Sequence, residues 1–191
     1  MKSAIHLSQM PALADLFRLF ISGKHLNRIS DSALWVELEQ QQSLYMELFA
    51  ALGYDLRLDG RGFAWFHTPD AASSAINKTS QQLAFLFMVI FDFQANAGKP
   101  LQRFMDWRLD RDVLSEVYAQ HHELLTAEGM NFDAMIDLIS NRACTLGFMQ
   151  QESHTWSFLP SVYRYLDHFE ALAVLTNAVE PALSSDFQEN T

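Results

Sequence analysis

Leu13, Leu16, Phe17, Phe20 and Ile21 follow the i, i+3, i+4, i+7, i+8 spacing of a helix with one buried face. Pro11 suits the start of that helix and Gly23 its stop. Ser30, Asp31 or Ser32 can each cap a second helix, whose apolar set is Leu34, Trp35 and Leu38. The polar run Gln40 to Ser43 reads as a turn or as continuing helix. Leu44, Tyr45, Leu48, Phe49 and Leu52 then form a third stripe that ends at Gly53. A hairpin on Asp59-Gly60-Arg61-Gly62 comes directly after. With Gly60-Arg61 as a two-residue type II′ turn, Leu58 is expected opposite Phe63 and Leu56 opposite Trp65, with Asp55 and Arg57 on the other face. Helix, helix, two-stranded wing is the order of a winged helix-turn-helix.

Thr68 to Lys78 (TPDAASSAINK) is small and polar and reads as a linker, after which the order is repeated. Thr79 and Gln82 have capping-box spacing ahead of an apolar helix over Leu83 to Phe93, stopped by Gly98-Lys99-Pro100. Leu114, Val117, Tyr118, His121, Leu124 and Leu125 line one long helix closed by Gly129. Phe132, Met135, Ile136, Ile139 and Ala143 make the next stripe, and Thr145 to Met149 with Thr155 to Leu159 form a second candidate wing. Pro160 opens a last helix carrying Tyr163, Leu166, Phe169 and Leu172. The expected fold is mainly α with short β-hairpins (α+β): a winged-helix domain over 1–67, a linker over 68–78, and a second winged-helix domain over 79–191 with a polar tail.

Composition changes what such a fold can hold. The chain has 191 residues, 49% hydrophobic, with 15 Phe, enough to bury a full core. Its formal charge is −10. Residues 1–70 carry 6 basic and 8 acidic side chains, and residues 71–191 carry 7 and 15. Phosphates repel such a chain, so its own affinity for nucleic acid is expected to be weak. A groove-reading helix offers Arg, Lys, Asn or Gln to base edges. Here the solvent face of the first third-position helix offers Ser43, Met46, Glu47 and Ala50, and that of the second offers Asp133, Asp137, Ser140 and Asn141. Basic side chains gather only near the first turn and wing, at Lys24, Arg28, Arg57 and Arg61, with Asp31, Asp55 and Asp59 as neighbours. They read as a solvated surface, or as a phosphate contact used when a partner holds DNA nearby.

Candidate chemistry is thin. His121 and His122 point about 100° apart on a helix and cannot easily share a metal, and His121 falls on the apolar stripe. Cys144, the only cysteine, has no base or ligand at motif spacing and reads as a structural thiol. No phosphate-binding loop, nucleophile elbow or zinc-binding HExxH pattern occurs, so no enzyme, metal or cofactor is expected. The run Leu83 to Phe91 spans nine residues, about half of what a bilayer needs, and Met1 to Ser8 lacks the apolar core of a secretory signal. A cytoplasmic protein without a membrane partner is expected. That run leaves almost no polar side, so Phe85, Leu86, Met88 and Phe91 are candidates for a dimer or partner interface, or for internal burial.

Gly23-Lys24-His25-Leu26-Asn27-Arg28, Ala33-Leu34-Trp35-Val36-Glu37-Leu38-Glu39, Leu48-Phe49-Ala50-Ala51-Leu52-Gly53-Tyr54 and Arg61-Gly62-Phe63-Ala64-Trp65-Phe66, together with Tyr45 and Arg57, form a string over about 44 residues. It resembles the N-terminal region of the MksE family, the MukE-like accessory subunits of bacterial condensins. The resemblance implies tandem winged-helix domains, a homodimer, and binding to a kleisin subunit (MksF- or MukF-like) that bridges an SMC-type ATPase (MksB- or MukB-like). The implied work is chromosome organisation and segregation at the nucleoid, or plasmid defence in related systems. It carries over no catalytic residues. The rival reading from the fold pattern alone is a winged-helix transcription regulator.

Overall fold

The computed structural model describes residues 7–67 and 74–171, and it is mainly helical with two small antiparallel sheets. The described residues up to Ser161 form one compact unit, and those from Val162 on form a second. α1 (Leu13–Ile21) buries Leu16 and Phe20. The backbone N–H of Ala12, ahead of its first turn, donates to Glu37 Oε1 at 2.8 Å, so a carboxylate from the next helix caps this one. β1 is Leu26–Asn27, α2 is Ser32–Gln40 and α3 is Gln42–Ala51. Only Gln41 (φ −115°, ψ 26°) separates α2 from α3, so the expected turn is a single residue wide. Asp31 holds the N-cap position of α2 without making a cap bond; its carboxylate accepts from Ser30 Oγ and lies 4.0 Å from Lys24 Nζ. Trp35, Leu38, Tyr45 and Phe49 are buried with Leu16 and Phe20 in one core, as the stripes predict.

The first hairpin corrects the sequence reading by one residue. β2 (Asp55–Asp59) and β3 (Phe63–His67) pair Leu58 with Ala64 and Leu56 with Phe66, while Arg57 faces Trp65 and Asp59 faces Phe63. The loop is Gly60-Arg61-Gly62. The Gly62 N–H donates to the Asp59 carbonyl, and Gly62 takes φ +95°. This is a four-residue turn, residues 59–62, that ends on a left-handed glycine and leaves a three-residue loop in place of the type II′ one. Asp59 reinforces it by accepting from the Arg61 N–H at 2.8 Å. Because side chains alternate, the slip moves Phe63 and Trp65 off the face shared by Leu56 and Leu58. There Trp65 lies beside His25, and His25 lies 4.4 Å from the Phe148 ring. β1 pairs with β3 on its other edge, giving the order β1-β3-β2.

α4 runs over Ser74–Asn96, so Ser74 to Lys78, expected as linker, are helical, and residues 68–73 lie outside the described residues. The capping box at Thr79 and Gln82 is overturned. With no Pro or Gly between Ser74 and Thr79 to stop it, the helix extends at one hydrogen bond per residue and takes both positions into its interior. A 3₁₀ segment over Leu101–Asp106 leads to α5 (Arg111–Gln120), capped by the Asp110 carboxylate on the Val113 N–H. The long helix expected up to Gly129 breaks at His121 (φ −110°, ψ 22°), leaving α6 over His122–Ala127. α7 (Phe132–Leu138), capped by Asn131, passes into a π-helical turn over Ile139–Ala143. β4 (Met149–Glu152) and β5 (Thr155–Phe158) form the second hairpin. Its first strand begins at Met149 rather than Thr145. The Cys144 and Phe148 N–H groups bond back to the Ile139 and Ala143 carbonyls, and Gly147 takes φ +79°, which interrupts any alternation there. Leu109 exchanges backbone bonds of 2.9 and 2.8 Å with Trp156, so it borders β5 much as β1 borders β3. The final helix spans 163–171 after a 3₁₀ turn at Pro160–Val162; Leu172 lies outside the described residues.

A buried polar knot fixes the second hairpin region to the first sheet. Asn27, fully buried, donates to the Gly147 carbonyl at 2.8 Å and accepts from the Ser161 N–H at 3.1 Å. Ser161 Oγ donates to the same Gly147 carbonyl, and the His25 N–H donates to the Leu146 carbonyl at 2.9 Å. The fit requires glycine, because a Cβ on Gly147 would stand 2.5 Å from the His25 carbonyl oxygen.

Candidate interaction site

α3 presents Ser43, Met46, Glu47 and Ala50 to solvent, as its spacing predicts, and holds no Lys or Arg over its length. Its inner face is anchored by Tyr45, whose hydroxyl donates to the Glu37 carboxylate that caps α1. Burial, joined by that carboxylate, drives the Tyr45 phenol well above its usual range. On α7 and the π-helical turn after it, Asp133, Asp137 and Asn141 are exposed and Ser140 is half-buried, and Asn141 donates to Asp137. A phosphate backbone approaching either surface meets carboxylates first.

Three of the four gathered cations already have partners. Arg57 holds Asp55 at 2.7 Å, Arg61 holds Asp59 at 2.7 Å, and Lys24 lies 4.0 Å from Asp31. The Arg61 guanidinium keeps the Asp59 carboxyl below the usual carboxylate range. Arg28 is exposed, and its backbone N–H donates to the Gly62 carbonyl at the hairpin tip, so it sits beside the first hairpin. Four cations against three carboxylates leave a surface of almost no net charge.

The apolar helix is sealed mainly by its own chain. Leu86 is fully buried and Phe91 is 9% exposed; Phe85 is half-buried, and Met88 alone of the four stands out at 46% exposure. Phe87 and Phe91 pack on Phe158 with ring centroids 5.5 and 5.2 Å apart. His121 is a satisfied core histidine. Its Nε2 lies 3.0 Å from an Asp92 carboxylate oxygen and its Nδ1 3.2 Å from the Val117 carbonyl, while His122 faces Thr126. Burial pushes the Cys144 thiol up to about 11, which keeps it protonated and poorly nucleophilic at neutral pH.

Sequence reasoning missed an apolar groove between α1 and α3. It has a volume of about 470 Å³, and every residue lining it is apolar, among them Leu7, Pro11, Leu13, Phe17, Leu48 and Leu52. Leu7 is 62% exposed and Leu52 57%. The signal was present in the α3 stripe, where Leu52 lies one turn beyond Leu48, too near the helix end for the core to cover it.

The family model for the condensin complex protein MksE matches residues 11–170, most of the chain and all of the elements described from α1 to β5. The chain belongs to the MksE family. It is therefore a condensin complex protein, from a family not known as catalytic. No curated protein matches it. No described helix is long and apolar enough to cross a membrane.

Proposed function

We propose that this MksE-family chain is the kleisin-binding accessory subunit of an SMC-type condensin, acting in chromosome organisation and segregation. On this reading it carries two winged-helix units on either side of residues 68–78. The order α1, β1, α2, α3, β2, β3 supports the first unit. α4, Leu109, α5–α6, α7, β4 and β5 repeat that order with one bridge in place of a strand. The observation that carries the reading is the chemistry of α3: the helix a DNA reader would send into the major groove exposes Met46, Ala50 and Glu47 and has no cation. Such a face desolvates cheaply against protein and poorly against phosphate. The kleisin links the chain to the SMC ATPase, which performs the hydrolysis. The accessory subunit acts by holding one conformation of the ring better than another. A second copy completes the assembly, with Met88 and the outer part of Phe85 as the α4 residues open to it. Arg28 and the wing meet DNA only when the complex brings it close.

Titrating the purified chain against the kleisin subunit of the same condensin, and separately against duplex DNA at low salt, tests this. The expected result is saturable kleisin binding with no measurable duplex binding by the isolated chain. Tight duplex binding that falls steeply with salt, without kleisin binding, would replace the proposal with a transcription regulator.

A further inference from the structure

The groove between α1 and α3 offers a ligand no side-chain hydrogen bonds. Its lining offers neither a charged nor a polar side chain. Small-molecule sites orient their ligands with a few placed polar groups, and nucleic-acid sites need cations; this groove supplies neither. It lies between two helices, and no strand contributes to its lining, so an added β-strand finds no ladder there. What fits is the apolar stripe of another helix, with anchors at i, i+3, i+4 and i+7.

The rim gives the partner's charge. Glu47, one residue before Leu48, is exposed and has no cation on its own helix. On α1, Asp15 is exposed and holds Arg18 only at long range, 3.5 Å, with both side chains largely in solvent. A helix that set Lys or Arg beside its apolar anchors would find Glu47 unengaged, whereas an acidic helix would be repelled from it. We propose that this groove seats an amphipathic helix of the kleisin, apolar at its centre and basic on the flank that meets Glu47. The assignment rests on the kleisin-binding reading above and adds the surface and the chemistry of the segment it takes.

The test titrates the kleisin subunit with the wild-type chain and with Leu52→Glu, Ala14→Glu, Glu47→Lys and Leu124→Glu. The mass of each free chain is followed by light scattering. Leu52 and Ala14 are exposed, so their variants keep the wild-type circular dichroism and melting curve. Leu124, 54% exposed on α6, is the control outside the groove. Leu52→Glu and Ala14→Glu are expected to weaken kleisin binding by about tenfold or more, Glu47→Lys by several-fold with a smaller effect at high salt, and Leu124→Glu not at all. If the wild-type chain binds the kleisin and the groove variants bind equally well, the groove assignment is wrong while the functional reading stands. If the wild-type chain does not bind the kleisin, both fail. If Leu52→Glu halves the mass of the free chain and leaves kleisin affinity intact, the groove seats a second copy, and the assignment is again overturned.

Discussion

α4 and the α1–α3 pair spend their apolar residues differently. The Leu83 to Phe91 segment of α4 is the greasier of the two in sequence, yet the chain covers most of it: Leu83, Leu86, Phe87 and Ile90 are fully buried, under rings such as Phe148 and Phe158. The α1–α3 pair has ordinary stripes, and its outer edge at Leu13, Phe17, Leu48 and Leu52 stays partly open. Hydrophobic density along a helix says how much must be covered. It does not say what covers it, because that depends on which elements reach the helix from elsewhere in the chain.

The contrast predicts a steep hierarchy of effects. Phe87→Ala should cost about 3–5 kcal/mol, enough to abolish cooperative urea unfolding in a marginally stable chain. Leu52→Ala should change the urea midpoint by no more than about 0.5 kcal/mol. Comparable losses at the two sites would mean that the α1–α3 edge is closed in solution. Gly147→Ala should cost about 2–4 kcal/mol, combining a left-handed backbone with the 2.5 Å approach to the His25 carbonyl. Gly129→Ala, at φ +70° with nothing near its added Cβ, should cost only about 1 kcal/mol. The difference between the two melting curves isolates the knot that fixes the second hairpin region to the first sheet. Tyr45→Phe should cost about 1.5–3 kcal/mol, because the Glu37 carboxylate that caps α1 loses a buried donor.

Two groups, Cys144 and Tyr45, set an alkaline limit. Both have pKa values raised by folding, so their stabilisation is complete below their unfolded values and is lost as pH rises. For Cys144 the loss falls between pH 9.0 and about 11; Tyr45 adds to it above about pH 10. In melts across this range Cys144→Ser should flatten the early decline while leaving neutral stability within about 1 kcal/mol. An unchanged slope would mean that the thiol is not desolvated. A similarly small effect is expected at the first hairpin, where Arg57→Ala removes an exposed pair worth about 0.2–1 kcal/mol.

α1 and α3 were legible because the stripe of each ends at a glycine that also stops the helix, at Gly23 and Gly53. The hairpin was legible as a hairpin but not in register. Gly60 and Gly62 each permit a tight turn, and only the tertiary demand for Phe63 and Trp65 near His25 selects the three-residue loop. The break at His121 leaves no sequence mark, since His121 continues the apolar stripe while its ring reaches Asp92 on α4. Likewise the π-helical turn follows from packing that periodicity cannot register. The acidic character of the α3 face was readable directly. The groove was not, because it is a gap between two elements, and a stripe does not say where its neighbour stops.

Hydrogen exchange on the chain, with and without saturating kleisin, is the most direct test of the central claim. The account predicts new protection concentrated in Leu13–Ile21 and Gln42–Ala51, with little change along Phe63–His67. Protection confined to the first hairpin, with the α1 and α3 amides exchanging as before, would contradict it.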